Sequence, residues 1–176
     1  MPSIAENRKD TPLVTFFNEM GEGTYRFLGD DPWFPIGGVA ILAGRRRTGK
    51  STLALYECAR MSRMGKKVLI VQQEDSAECI RTQLRCMRCD GANIGFYAGA
   101  REDYFDHRDI ARIDKAASAM DADLVYIDPL HALAQGRWND QRSADCILDL
   151  RAMAKRIHCV CCQVEVVRLS VLFWSK

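Results

Sequence analysis

The sequence predicts an α/β protein built in three layers, with a mainly parallel sheet between two layers of helices. Apolar runs of strand length alternate along the chain with longer segments in which apolar residues recur at helical spacing. The apolar runs are nearly continuous, which is typical of parallel strands that helices cover on both faces. A glycine-rich loop separates the first of these strands from the first of these helices. Strands that alternate with helices are joined by right-handed crossovers, and such connections produce a parallel sheet.

The predicted elements fill the middle of the chain. The expected strands are residues 39–43, 68–71 and 124–128, with a short strand or extended link at 94–98 and a further strand that begins at 158. The expected helices are residues 51–64, 76 to about 90, 106 to about 120, and 143–157. Gly65 is placed to end the first helix. A chain of 176 residues is long enough to bury a sizeable core in one domain.

Composition and charge exclude some classes of protein. Apolar residues make up 48% of the chain and charged residues 27%, as in ordinary globular domains. The formal net charge of +2 is too small to indicate nucleic-acid binding by itself, so any such site must be local. The first ten residues are polar and charged, and no apolar run reaches the length of a membrane span. We therefore expect a cytoplasmic protein with no membrane partner.

The eight cysteines are scattered and lack the regular spacing of a disulfide-rich protein. Cys86 and Cys89 form a C-x-x-C pair, and three further cysteines lie within residues 159–162. A zinc site with two ligands from each group is an alternative to a structural role. The second group lies in a strand-like run without the C-x-x-C spacing, so the cysteines are not among the metal ligands that we expect.

The most informative stretch is residues 44–51, with the sequence GRRRTGKS. It matches the phosphate-binding pattern G-x-x-x-x-G-K-[ST] at every fixed position. Gly44 and Gly49 let backbone N–H groups turn toward a phosphate. Lys50 brings a positive charge to the phosphates, and Ser51 offers a hydroxyl to Mg²⁺. The expected nucleotide-binding residues are Gly44, Arg45, Arg46, Arg47, Thr48, Gly49, Lys50, Ser51 and Thr52.

Two acidic residues follow predicted strands at the edge where parallel sheets bind ligands. Asp128 ends the strand 124–128 and is the candidate for holding Mg²⁺ together with Ser51. Its alternative role is to open the turn at Pro129. Glu74 follows the strand 68–71 and is the candidate base for an attacking water. Asp75 competes with Glu74 for that role and, with Ser76, is also a candidate cap for the next helix.

The order of these segments resembles the RecA-like P-loop ATPase core, over roughly residues 33–159. The sequences Glu74-Asp75-Ser76 and Ile127-Asp128-Pro129-Leu130 are most similar to those of RepA-type hexameric replicative helicases and related AAA-family ATPases of mobile elements. The resemblance implies ATP and Mg²⁺ as ligands, with Lys50, Glu74 and Asp128 as catalytic residues. It also implies single-stranded DNA as a partner and, for the full-length core, a homo-oligomeric ring of six subunits.

Two features of the sequence bear on DNA. Arg137 and Trp138 follow the strand 124–128 and offer a charge for phosphate and a ring for base stacking. An ordinary surface loop explains them equally well. Arg81, Arg85 and Arg88 form a basic stripe on a predicted helix, which is more typical of a solvated helix face.

We divide the chain into an N-terminal extension at 1–32, the ATPase core at 33–160 and an atypical tail at 161–176. Charged residues such as Glu165 and Arg168 fall where a buried strand is expected, so we hypothesise that the tail is truncated or frame-shifted and the core incomplete. The predicted function is Mg-ATP binding and hydrolysis in DNA replication or mobile-element maintenance. The alternatives are a catalytically weak nucleotide-binding remnant and a P-loop kinase of a small acceptor.

Overall fold

The computed structural model describes residues 26–30, 32–97, 107–130, 141–157 and 159–165. Strands and helices alternate through this part of the chain. They are β1 (Gly38–Gly44), α1 (Lys50–Arg63), β2 (Val68–Gln72), α2 (Ala77–Cys86), β3 (Ile94–Phe96), α3 (His107–Met120), β4 (Leu124–Asp128), α4 (Gln141–Ala154) and β5 (Cys159–Glu165). No helix in the described ranges is both long and apolar enough to cross a membrane.

Within the described residues the sheet has five strands in the order β1-β5-β4-β2-β3, and each adjacent pair is parallel. The carboxyl ends of parallel strands meet at one edge of a sheet. Gly44, Gln72 and Asp128 end β1, β2 and β4 and therefore share that edge. The register places Gln72 directly beside Asp128. We call this edge, with the loops that leave it, the ligand edge.

Two apolar clusters fill the space between the sheet and the helices, one on each face. The cluster under α3 and α4 includes the buried residues Val71, Ile110, Ile113, Val125, Ile127, Leu150 and Met153. The cluster under α1 and α2 includes the buried residues Leu55, Met61, Val68, Ile70, Ile80, Leu84, Leu124 and Tyr126. Consecutive residues of β4 alternate between the clusters because successive strand side chains point to opposite faces. Helices thus cover both faces, and the predicted three-layer fold is confirmed.

Helices α1 and α2 are each followed by a residue in the left-handed conformation, which is Gly65 after α1 and Arg88 after α2. After α1, Gly65 has φ +78°, the Gly65 N–H donates to Ser62 O and the Lys66 N–H to Met61 O, which is a Schellman motif. The predicted end of α1 at Gly65 is therefore correct.

Helix α2 ends earlier than the predicted limit near residue 90. Arg88 takes the left-handed position with φ +57°, and the Cys89 N–H donates to Leu84 O at 3.0 Å. Arginine rarely adopts this conformation, so the sequence carried no signal for the earlier end.

Strand β5 lies in the middle of the sheet, between β1 and β4. Its backbone pairs with β1 from Gly38 beside Cys159 to Gly44 beside Glu165. The strand therefore continues past residue 160, where we divided the core from the tail, and its last residue lies at the ligand edge. The division of the chain stays a prediction, since residues 1–25 and 166–176 lie outside the described ranges.

Candidate nucleotide-binding site

The phosphate loop connects β1 to α1 at the ligand edge, and its two fixed glycines are required for different reasons. A Cβ on Gly44 would lie 3.2 Å from Thr48 Oγ1 and 3.3 Å from Lys50 Cδ, closer than side-chain carbons normally pack. Gly49 has φ +82°, a left-handed conformation that glycine adopts without strain. The first glycine thus makes room for the lysine, and the second lets the chain turn into the helix.

Hydrogen bonds inside the loop converge on one carbonyl oxygen. The Lys50 ammonium and the Thr48 hydroxyl each donate to Arg45 O at 2.8 Å. The bond from Lys50 holds the lysine side chain over the loop. Because Gly49 at the N-cap has no side chain, the first N–H groups of α1 keep their capacity to bind an anion. No acidic residue in the first turn of α1 opposes an anion there.

The three arginines of the loop, Arg45, Arg46 and Arg47, are exposed. Arg47 adopts φ +61°, which costs a residue with a Cβ about 1–2 kcal/mol. Strained backbone of this kind is concentrated at functional sites. The three exposed arginines place three formal positive charges on the loop, and Thr52, which follows in α1, is exposed as well.

Asp128 is almost fully buried, with 1% of its surface exposed, and its two carboxylate oxygens have different surroundings. Oδ2 accepts a hydrogen bond from the Tyr126 hydroxyl at 2.9 Å and another from Gln72 Nε2 at 3.3 Å. Oδ1 is buried and has no hydrogen-bond partner among the described residues. A buried polar atom without a partner is rare in a folded protein, and a carboxylate oxygen of this kind suits a hard cation or its bound water.

The pKa of the Asp128 carboxyl is raised, and burial is the largest cause. Hydrogen bonds from Tyr126, Ser51 and Gln72 oppose this effect, while the negative charge of Asp75 adds to it. The Ser51 hydroxyl therefore lies within hydrogen-bonding reach of this carboxyl group. The two predicted metal ligands, Ser51 and Asp128, meet in the structure, and this donor set of one hydroxyl and one carboxylate fits Mg²⁺.

Glu74 lies in the bend that follows β2 and is exposed. The Gln73 N–H donates to Asp128 O at 3.1 Å, which ties the start of this bend to the end of β4. Glu74 is therefore at the ligand edge with Lys50. The neighbouring Asp75 is close enough to Asp128 for its negative charge to raise the pKa of the Asp128 carboxyl. The Ser76 hydroxyl caps α2 by accepting a hydrogen bond from the Cys79 N–H at 3.2 Å.

Sequence reasoning missed two residues of the site and made predictions on others that the structure does not describe. Tyr126 and Gln72, which bind Asp128, were not singled out. The period of two along β4 was the available signal for Tyr126, whereas only the pairing register identifies Gln72.

Arg137 and Trp138 lie outside the described ranges. Among the side chains that the structure describes, no group of three or more His, Cys, Asp or Glu could hold a metal ion. The side chains of Cys159, Cys161 and Cys162 are not among those described.

A parallel sheet covered on both faces, with a phosphate loop after its first strand and a buried aspartate ending a nearby strand, defines the class of RecA-like P-loop ATPases. The chain belongs to the family described as AAA domain (AAA_25), whose model matches residues 20–165. A comparison with curated proteins finds no matching sequence.

Solved structures share the fold. A KaiC-like protein from the hyperthermophilic archaeon Pyrococcus horikoshii superimposes with a TM-score of 0.62 at 19% identity, over 81% of this chain and 73% of that one. The flagellar accessory protein FlaH from Methanocaldococcus jannaschii superimposes with a TM-score of 0.60 at 15% identity, over 74% of this chain and 62% of that one. This chain thus spans less than two thirds of the length of FlaH. At these identities the likeness concerns the fold.

Proposed function

We propose that this chain binds Mg-ATP at the phosphate loop and hydrolyses it. The observation that carries the proposal is the bare, buried Oδ1 of Asp128, in a carboxyl group that the Ser51 hydroxyl also reaches. Ser51 is the first residue after the lysine of the phosphate loop. A carboxylate oxygen that is desolvated and unpaired in the free protein gains a partner when a cation arrives with the nucleotide.

Each part of the site has one task in this proposal. Backbone N–H groups of residues 44–52 bind the phosphates, and the Lys50 ammonium exchanges its bond to Arg45 O for a phosphate oxygen. Ser51 and Asp128 hold Mg²⁺, which when bound offsets the negative charge of the phosphates. The Glu74 carboxylate accepts a proton from the attacking water, and its exposed position leaves it accessible to that water.

We further propose that the ATPase acts on single-stranded DNA as a ring of subunits, in DNA replication or in the maintenance of a mobile element. Support comes from the likeness of the Glu74-Asp75-Ser76 and Ile127-Asp128-Pro129-Leu130 segments to RepA-type replicative helicases. The exposed arginines Arg45, Arg46 and Arg47 offer positive charge beside the nucleotide. A P-loop kinase and a nucleotide-binding remnant are the competing functions.

The test is phosphate release from ATP, measured with and without single-stranded DNA, for the wild type and for Glu74→Gln. We expect DNA to stimulate the wild type, and the variant to lose turnover by at least about a hundredfold while it still binds ATP, because a base is lost and the phosphate contacts are kept. Glu78→Gln, four residues further on in α2, is the matched control and is expected to keep wild-type turnover.

The competing functions give other results in the same assay. If the chain is a nucleotide-binding remnant, the wild-type protein binds ATP but releases no phosphate, and Glu74→Gln has no turnover to remove. A kinase releases little phosphate until an acceptor is added and does not respond to DNA. Size-exclusion chromatography with ATP tests the ring, and a monomer under all conditions contradicts it.

A further inference from the structure

Tyr126 is buried in the cluster under α1 and α2, with 1% of its surface exposed, and the mechanism above gives it no task. Tyr126 and Asp128 are two residues apart on β4, so their side chains lie on the same face of the sheet. The tyrosine hydroxyl donates to Asp128 Oδ2 at 2.9 Å. The hydroxyl of a large buried side chain is thus hydrogen-bonded to the carboxyl group that we propose as a metal ligand.

The donors around Asp128 are arranged asymmetrically. Gln72 lies beside Asp128 in the register of β2 and β4, and its Nε2 donates at 3.3 Å to the same oxygen that Tyr126 binds. Oδ2 therefore receives the bonds of both Tyr126 and Gln72, whereas Oδ1 has no partner among the described residues. The carboxyl group of an aspartate otherwise rotates in a broad, two-fold potential. Two donors on one oxygen fix that rotation and determine which oxygen is left without a donor.

We propose that Tyr126, assisted by Gln72, is a positioning residue that holds the Asp128 carboxyl group so that Oδ1 is presented to Mg²⁺. The inference rests on the proposed function, since it requires Asp128 to bind the metal. Residues that orient a metal ligand in this way typically raise metal affinity by about 10–100-fold. A purely structural role, in which the buried hydroxyl only needs an acceptor, predicts a loss of stability without a change in metal binding.

The experiment compares wild type with Tyr126→Phe, which removes the hydroxyl and keeps the ring. Calorimetry with ADP in the absence of divalent metal measures nucleotide binding alone, and electron paramagnetic resonance of Mn²⁺ measures metal binding to the protein–ADP complex. We expect Mn²⁺ affinity to fall about tenfold and metal-free ADP affinity to stay unchanged. Tyr56→Phe, at an exposed tyrosine of α1, is the matched control and keeps both affinities.

Gln72→Leu is the second variant, and it removes the longer of the two hydrogen bonds to Oδ2. The other polar atom of the Gln72 side chain, Oε1, has no partner among the described residues, so the substitution breaks no further bond there. We expect a smaller loss of Mn²⁺ affinity in the same direction. If Tyr126→Phe does not fold, Gln72→Leu decides by the same two measurements. Folded variants that bind Mn²⁺ as the wild type does overturn the positioning role alone. A wild type that shows no Mn²⁺ binding with ADP overturns the proposed function, and the positioning role falls with it.

Discussion

At the scale of single residues, the site depends on backbone conformations that few amino acids adopt. Gly49 has φ +82° and no atom within 4 Å of the position where a Cβ would stand. The space beside it is open, so the reason for glycine is the conformation and the access of a phosphate to the backbone. Gly91, in the turn before β3, has φ +77° and equally open surroundings, but it lies far along the chain from the phosphate loop. The two glycines make a matched pair.

We expect Gly49→Ala and Gly91→Ala to lower the free energy of unfolding by a similar amount, about 1–2 kcal/mol, because a Cβ is strained in the left-handed region. Only Gly49→Ala is expected to weaken ATP binding, since its methyl group occupies the space in which a phosphate meets the loop. Urea denaturation and calorimetry measure the two effects. Equal ATP affinity in both variants contradicts the assignment of the phosphate site.

At the scale of elements, α4 packs one face against the sheet through Cys146, Leu150 and Met153. Cys146 is 1% exposed, and burial, together with the charge of Asp149, raises the pKa of its thiol to about 11. Because the thiolate is the reactive form, a raised pKa makes this cysteine inert at neutral pH. By contrast, Cys79 in α2 is exposed. The reactivity of these two thiols therefore reports whether α4 lies on the sheet.

In the folded protein at pH 8, iodoacetamide is expected to modify Cys79 readily and to leave Cys146 unmodified. The raised pKa keeps the Cys146 thiol protonated until the pH approaches about 11, so labelling should rise only toward that pH. Mass spectrometry of peptides after timed labelling measures both rates, and unfolding in urea should remove the difference. Labelling of Cys146 at the rate of Cys79 in the native state contradicts the packing of α4.

At the scale of the whole molecule, the fold was predictable because β1, β2 and β4 are nearly continuous apolar runs and the loop between β1 and α1 carries a strong signal. The phosphate loop and the acid that ends β4 were recognisable from sequence because both are local patterns. The bonds of Tyr126 and Gln72 to Asp128 were not, since they depend on which strands are neighbours and in what register. The end of α2 at Arg88 was missed because arginine seldom takes a left-handed conformation.

The position of β5 is the largest difference between what the sequence indicated and what the sheet contains. Its polar residues argued against a buried strand beyond residue 160, yet the backbone from Cys159 to Glu165 pairs between β1 and β4. Gln163 and Glu165 align with Leu42 and Gly44, at the end of the strand that lies toward the ligand edge. The polar residues of β5 therefore fall in the half of the strand nearest the ligand edge.

The central claim is that the phosphate loop and Asp128 form one Mg-nucleotide site. The most direct test is calorimetry of ATP binding, with and without Mg²⁺, for the wild type and for Asp128→Asn. Asp121→Asn, an exposed position before β4 at the opposite edge of the sheet, is the control. We predict that Mg²⁺ tightens ATP binding by about tenfold or more in the wild type and the control. In Asp128→Asn the Mg²⁺ effect should be lost while metal-free ATP still binds. An unchanged Mg²⁺ effect in Asp128→Asn would contradict the claim.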